Sequence, residues 1–150
     1  MEMRNQRGFT MIELIVVIVI LGILAATALP RFISVDASAR AAKVNGARGS
    51  VQSGAALAHA QWLVGGASGA TVQMEGASIN LTFGYPDTSV SGIQTAAQLS
   101  TTDYTISGNG GTTLTIASDG SHATCAFTYA PPTALGSAPV VGNNVVAGNC

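Results

Sequence analysis

The stretch Arg7-Gly8-Phe9-Thr10-Met11-Ile12-Glu13-Leu14 decides how this chain is read, because a single carboxylate stands at the mouth of an apolar wall. From Leu14 to Leu29 there is no charged side chain and one hydroxyl, at Thr27. A carboxylate at membrane depth costs roughly 2–3 kcal/mol, so such a residue usually has a partner and a job. Phe9 to Leu29 is 21 residues, about 31 Å as a helix, which matches the hydrocarbon core of a bilayer.

Outward from this segment the charge is uneven. All six basic residues (Arg4, Arg7, Arg31, Arg40, Lys43 and Arg48) lie in the first third of the 150-residue chain. After Arg48 there are only acids: Glu75, Asp87, Asp103 and Asp119. That acidic part works against binding nucleic acid or anionic lipid. No direct nucleic-acid role is therefore expected. Charge does not orient the apolar segment either, since Arg4 and Arg7 on one side face Arg31, Arg40 and Lys43 on the other.

Three readings of the N-terminus compete. A secretory signal would use Arg4 and Arg7, the apolar run, and Ala26-Thr27-Ala28 as its cleavage site. It would release a soluble binding protein or enzyme beginning at Leu29. A plain transmembrane anchor would use the same run uncut. Neither explains Glu13 or the residues just before it.

The third reading does. Gly8, Phe9, Thr10, Ile12 and Glu13, followed by an apolar helix with Gly22 and Pro30, resemble the class III leader of type IV pilins and type II secretion pseudopilins. The resemblance is close over about the first 60 residues. It implies that a prepilin peptidase cuts between Gly8 and Phe9 and N-methylates Phe9, leaving the apolar stretch on the mature protein. It also gives Glu13 a partner: the cationic amine of Phe9 on a neighbouring subunit. Desolvating both charges penalises any register that leaves one alone, so the pair checks assembly register. Gly22 and Pro30 bracket a stretch that such families unwind in the filament, and both residue types weaken a helix.

Past Pro30 the helical pattern resumes. Val44, Ala47, Val51, Ala55, Ala58 and Trp62 recur at steps of three and four, an amphipathic stripe. Arg40, Lys43, Arg48 and Gln52 decorate other faces, and Gly65-Gly66 is the predicted stop. Ile79, Leu81 and Phe83 alternate with polar residues as a strand, and Gly84-Tyr85-Pro86-Asp87 reads as a turn. Ile93 to Leu99 reads as one or two helical turns, and Tyr104–Ile106, Leu114–Ile116 and Cys125–Tyr129 as further strands.

The predicted organisation is residues 1–8 as leader, 9–64 as one long helix and 65–150 as a globular β head. Within the helix, 9–29 is the transmembrane or filament-core part and 31–64 is amphipathic. This is an α+β class, a long N-terminal helix packed on an antiparallel sheet, which is also the pilin architecture. In an exported chain Cys125 and Cys150 are expected to pair. Their closing loop resembles the disulfide-bounded region of type IV pilins, whereas major pseudopilins more often lack it. Ala26–Phe32 and Gly84-Tyr85-Pro86 look most like mannose-sensitive haemagglutinin (MSHA) type pilins.

Chemistry of other kinds finds little support. His59 and His122 stand alone, and no G-x-S-x-G elbow or phosphate-cradling glycine motif occurs. Asp87, Asp103 and Asp119 lack a calcium-loop pattern. No catalytic residue, metal or cofactor is expected. The function implied by resemblance is a major pilin, polymerising into a filament for adhesion, surface motility or biofilm formation. Its partners would be other pilin subunits, the prepilin peptidase, an assembly ATPase, a platform protein and a secretin. It would sit in the inner membrane as a single-pass precursor and then in an extracellular pilus. The alternatives are a pseudopilin of type II secretion and an exported soluble binding protein.

Overall fold

The computed structural model of the protein describes residues 9–150. Helix α1 runs from Met11 to Val64, 54 residues, and is helical throughout the Gly22–Pro30 stretch. Contacts divide the chain after Asp36 into two compact units. In the first, the side chains from Met11 to Thr27 are exposed.

The second unit, Ala37–Cys150, is built on the amphipathic stripe. All six stripe residues, Val44, Ala47, Val51, Ala55, Ala58 and Trp62, are buried. They meet Ile93, Leu114, Ile116, Phe127, Tyr129 and Val145, most of them in one core cluster with Cys125. Burying a Val, Leu, Ile or Phe side chain is worth roughly 1.5–3 kcal/mol each, so this stripe is what fixes the helix to the head. Next to the stripe, Gly54 lets the chain at Ala96 approach closely, since an added Cβ would come within 2.6 Å of the Ala96 carbonyl oxygen.

The helix stops where the glycines predict. The Ala67 amide donates to the Trp62 carbonyl and the Gly66 amide to that of Leu63, the paired bonds of a Schellman cap. Gly66 has φ 89°, which glycine adopts at no steric cost. Trp62 Nε1 then donates to the Gly69 carbonyl at 3.2 Å, tying down the exit loop.

The strands form two antiparallel sheets. Strands β1 (Thr71–Met74), β2 (Ala77–Thr82) and β3 (Tyr85–Pro86) pair in the order β1-β2-β3. Strands β4 (Thr105–Ser107), β5 (Leu114–Ala117), β6 (Ala126–Ala130) and β7 (Val140–Val141) pair in sequence order. Along β6, Phe127 and Tyr129 point inward while Thr128 is exposed. Ile116 lies opposite Phe127 and Leu114 opposite Tyr129, so the core side of this sheet is made of cross-strand apolar pairs.

One expectation is corrected here. Gly84-Tyr85-Pro86-Asp87 is not the turn: Tyr85 and Pro86 are strand β3, paired with Thr82 and Leu81. The turn is Phe83-Gly84, with φ 50° and 84°, a two-residue hairpin whose central residues both need positive φ. Proline is tolerated because β3 is an edge strand. Gly84 is held by space as well, since a Cβ there would come within 2.6 Å of the Trp62 ring. Strands β1 and β7 were not anticipated. Between the sheets, Val90–Gln94 forms a wide helical turn with a non-helical kink at Gly92.

Candidate functional site

Glu13 lies in the first turn of α1, where it is joined to Thr10 by three hydrogen bonds. The Thr10 amide donates to Glu13 Oε2 at 2.9 Å and the Thr10 hydroxyl donates to the same oxygen at 2.6 Å. In return the Glu13 amide donates to Thr10 Oγ1 at 3.3 Å. The Thr10 carbonyl accepts the first helical bond, from the Leu14 amide at 3.2 Å. This is a capping box: two backbone amides with no partner in the helix are satisfied reciprocally by the side chains at its start. A carboxylate there also meets the positive end of the helix dipole.

The box sets Glu13 at the boundary of a fully lipophilic surface. Met11–Ala28 has mean hydropathy 2.7, is long and apolar enough to cross a membrane, and has none of its window buried. A carboxylate that accepts two local hydrogen bonds is partly compensated for leaving water, and it keeps lone pairs for a further donor. Phe9, just before the cap, is 81% exposed. The arrangement therefore presents one hydrogen-bonded anion beside an exposed ring on an otherwise uncharged cylinder.

The other sequence-predicted residues fall as follows. Gly8, the residue before the expected cut, lies outside the described residues. At Gly22 an added Cβ would meet nothing within 4 Å, so its small size is not used inside the single chain. The Pro30 backbone is helical. Cys125 and Cys150 form a disulfide.

His59 stacks on Tyr85, centroids 4.0 Å apart and planes within 4°, and its Nδ1 is 2.9 Å from the Gly84 carbonyl. That carbonyl can only accept, so Nδ1 carries the proton and the ring serves packing. His122 Nδ1 is 2.8 Å from Asp119 Oδ1, which also accepts the Ser121 and His122 amides. The hydrogen bond from His122, with those from Ser121 and Ser118, holds the Asp119 carboxyl at about 2, below its ordinary 3.8. Asp87 is spent on the amide and hydroxyl of Ser89. Among the described residues, no three His, Cys, Asp or Glu side chains gather to hold a metal.

Two things escaped the sequence reading. The capping box was legible as Thr10-x-x-Glu13 ahead of an apolar run. The basic residues of α1 were not legible as clamps. Arg40 Nε donates to the Cys150 carbonyl at 3.2 Å and Arg48 Nε to that of Gly142 at 2.6 Å. Lys43 donates to the carbonyls of Asp103 and Ser118 and lies 4.9 Å from the centre of the Tyr104 ring. These cations do not decorate free faces; they bind backbone carbonyls of the head.

Comparison with known proteins agrees with this geometry. Residues 3–29 match the family described as Prokaryotic N-terminal methylation motif. The chain is similar to the Type IV narrow pilus major component PilA5 of Thermus thermophilus, 47% identical over 55 residues. That alignment covers 37% of this chain and 47% of the relative, so the chain spans about half the length of the curated relative it matches. No solved structure matches. The matches fall on the segment that resembles a class III leader and its apolar helix, and the long helix, antiparallel sheets and closing disulfide match the α+β pilin fold. The likeness to the MSHA subtype rests on the sequence alone.

Proposed function

We propose that this chain is a structural subunit of a type IV pilus. It is made as a single-pass inner-membrane precursor, cut between Gly8 and Phe9, methylated on Phe9, and polymerised into an extracellular filament. Residues 1–8 are the leader, 9–29 the membrane and filament-core helix, 31–64 its amphipathic continuation and 65–150 the head. The observation that carries this is the Thr10–Glu13 box at the mouth of a span with no buried residue. A surface so apolar needs lipid before assembly and other copies after it. Within the bundle, Glu13 meets the new amine of a neighbour's Phe9, and any subunit out of register leaves a charge unpaired.

The Cys125–Cys150 bridge favours a pilin over a secretion pseudopilin, which more often lacks it. Peptidase, assembly ATPase, platform protein and secretin are the partners that follow from this reading. Gly22 and Pro30 are its weak points in the helix under load. Adhesion, motility or biofilm formation is the role of the filament.

Sequencing the mature N-terminus tests the proposal. A methylated Phe9 is expected, and a start at Leu29 would sink the filament reading. Glu13→Ala is expected to be cut normally yet to yield few filaments; abundant normal filaments would remove Glu13 from the mechanism.

A further inference from the structure

We propose that residues 142–150 form a strap seated on α1 independently of the disulfide, so that the Cys125–Cys150 bridge opens and closes in the folded head as a redox latch, with Cys150 as the sulfur where exchange begins.

Side chains seat the strap. Up to Gly142, whose amide donates to the Thr128 carbonyl at 2.8 Å, the chain still pairs with β6. Beyond it, among the described residues, the backbone joins no sheet. Donors on α1 take over, in antiparallel order. Arg48 Nε donates to the Gly142 carbonyl at 2.6 Å and Arg40 Nε to that of Cys150 at 3.2 Å. Between them the Asn45 side chain holds both the carbonyl and the amide of Val145, at 2.8 and 2.9 Å. The Thr124 hydroxyl donates to the Asn149 carbonyl at 2.8 Å. Hydrogen bonds from an ionised donor are about twice as strong as neutral ones. Val145 itself is 5% exposed and belongs to the core cluster. None of these contacts passes through sulfur. The strap therefore keeps its place when the bridge is cut, and the freed cysteines stay neighbours.

The two sulfurs are not equivalent. Cys125 is 0% exposed, packed in the core cluster with Val44, Leu114 and Phe127. Cys150 lies at the edge of that cluster and is only partly buried. A thiolate must reach the sulfur that it attacks, so exchange enters at Cys150. The thiolate of a small-molecule thiol bonds to Cys150 Sγ. The Cys125–Cys150 bond breaks, and its electron pair leaves on Cys125 Sγ, which takes a proton. A second thiol then displaces the first from Cys150, freeing its thiol and carrying the pair away as the oxidised disulfide. Closing runs backward. The Cys150 thiolate attacks a small-molecule disulfide and keeps one half of it, which Cys125 then displaces. While the latch is open, Cys125 stays in the core as a small apolar side chain.

The test exposes the full chain, in detergent without denaturant, to reduced glutathione, and quenches with acid before peptide mass spectrometry. A mixed disulfide of glutathione with Cys150 is expected. Glutathione on Cys125, or no exchange until denaturant is added, overturns the assignment. A second arm reduces the bridge fully and follows hydrogen exchange at the Val145 amide. Reduction alone is expected to raise that exchange less than about tenfold, because the strap stays seated. In the reduced chain Arg48→Gln, which removes a clamp three residues along the strap, should raise it by a further tenfold or more, roughly. Complete loss of protection on reduction alone, or no response to Arg48→Gln, overturns the strap.

Discussion

The Tyr129 hydroxyl on β6 donates to the Pro86 carbonyl on β3 at 2.7 Å, with both residues fully buried. It joins the two sheets by one bond across the core. Burial first, then the charges of Asp87 and Tyr85, pushes the phenol well above its ordinary 10. Tyr129→Phe keeps the ring but leaves a buried carbonyl unpaired, and is expected to destabilise the head by about 1–3 kcal/mol. A thermal melt lower by several degrees checks it. The raised value also fixes a sign: the wild-type head loses stability as pH rises above 10, where the unfolded phenol ionises and the folded one resists.

Asn45 grips the C-terminal loop with both ends of its amide. Its Nδ2 donates to the Val145 carbonyl at 2.8 Å and its Oδ1 accepts the Val145 amide at 2.9 Å. Asn45→Ala is expected to cost about 1–2 kcal/mol and to raise hydrogen exchange at the Val145 amide. Unchanged exchange there would show that the disulfide alone holds the loop.

Asp119 sets the acid limit of the β5–β6 turn. Its folded carboxyl sits at about 2 against an ordinary 3.8. The stabilisation it gives is therefore complete above 3.8 and lost as pH falls through about 2. Urea unfolding between pH 4 and pH 2 is expected to show a steeper loss for the wild type than for Asp119→Asn. Equal slopes would mean that the turn does not depend on the ionised carboxylate.

Thr10 positions Glu13. Thr10→Val removes the hydroxyl that both donates to and accepts from Glu13, at a typical cap cost of about 1 kcal/mol. Processing at Gly8-Phe9 is expected to continue while filament yield drops, and Thr10→Ser should restore it. Loss of yield in the serine variant as well would point to the methyl group and not the hydroxyl.

Much of this was legible because local physics decided it. The buried stripe from Val44 to Trp62 has helical spacing, and spacing survives folding. Gly65-Gly66 stopped the helix because Gly66 accepts positive φ. Glu13 stood out because an acid beside an apolar run is costly wherever the chain goes. The Phe83-Gly84 turn was misplaced by a residue or two because Tyr-Pro-Asp is also turn chemistry. What moved it was pairing of Leu81 with Pro86 and Thr82 with Tyr85, which no local preference reports.

By itself the sequence determined the long helix, its apolar first part, its buried stripe and the pairing expected of the two cysteines. Each depends on residues near one another along the chain, or on composition alone. Only the tertiary structure decided what Arg40, Lys43, Asn45 and Arg48 do. Their partners are backbone carbonyls of Cys150, Ser118, Val145 and Gly142, about 75 to 110 residues away. A carbonyl has no residue identity, so no sequence pattern announces it. The same holds for Leu63, Phe83 and Leu135, which come to line one hollow only where the fold sets them side by side.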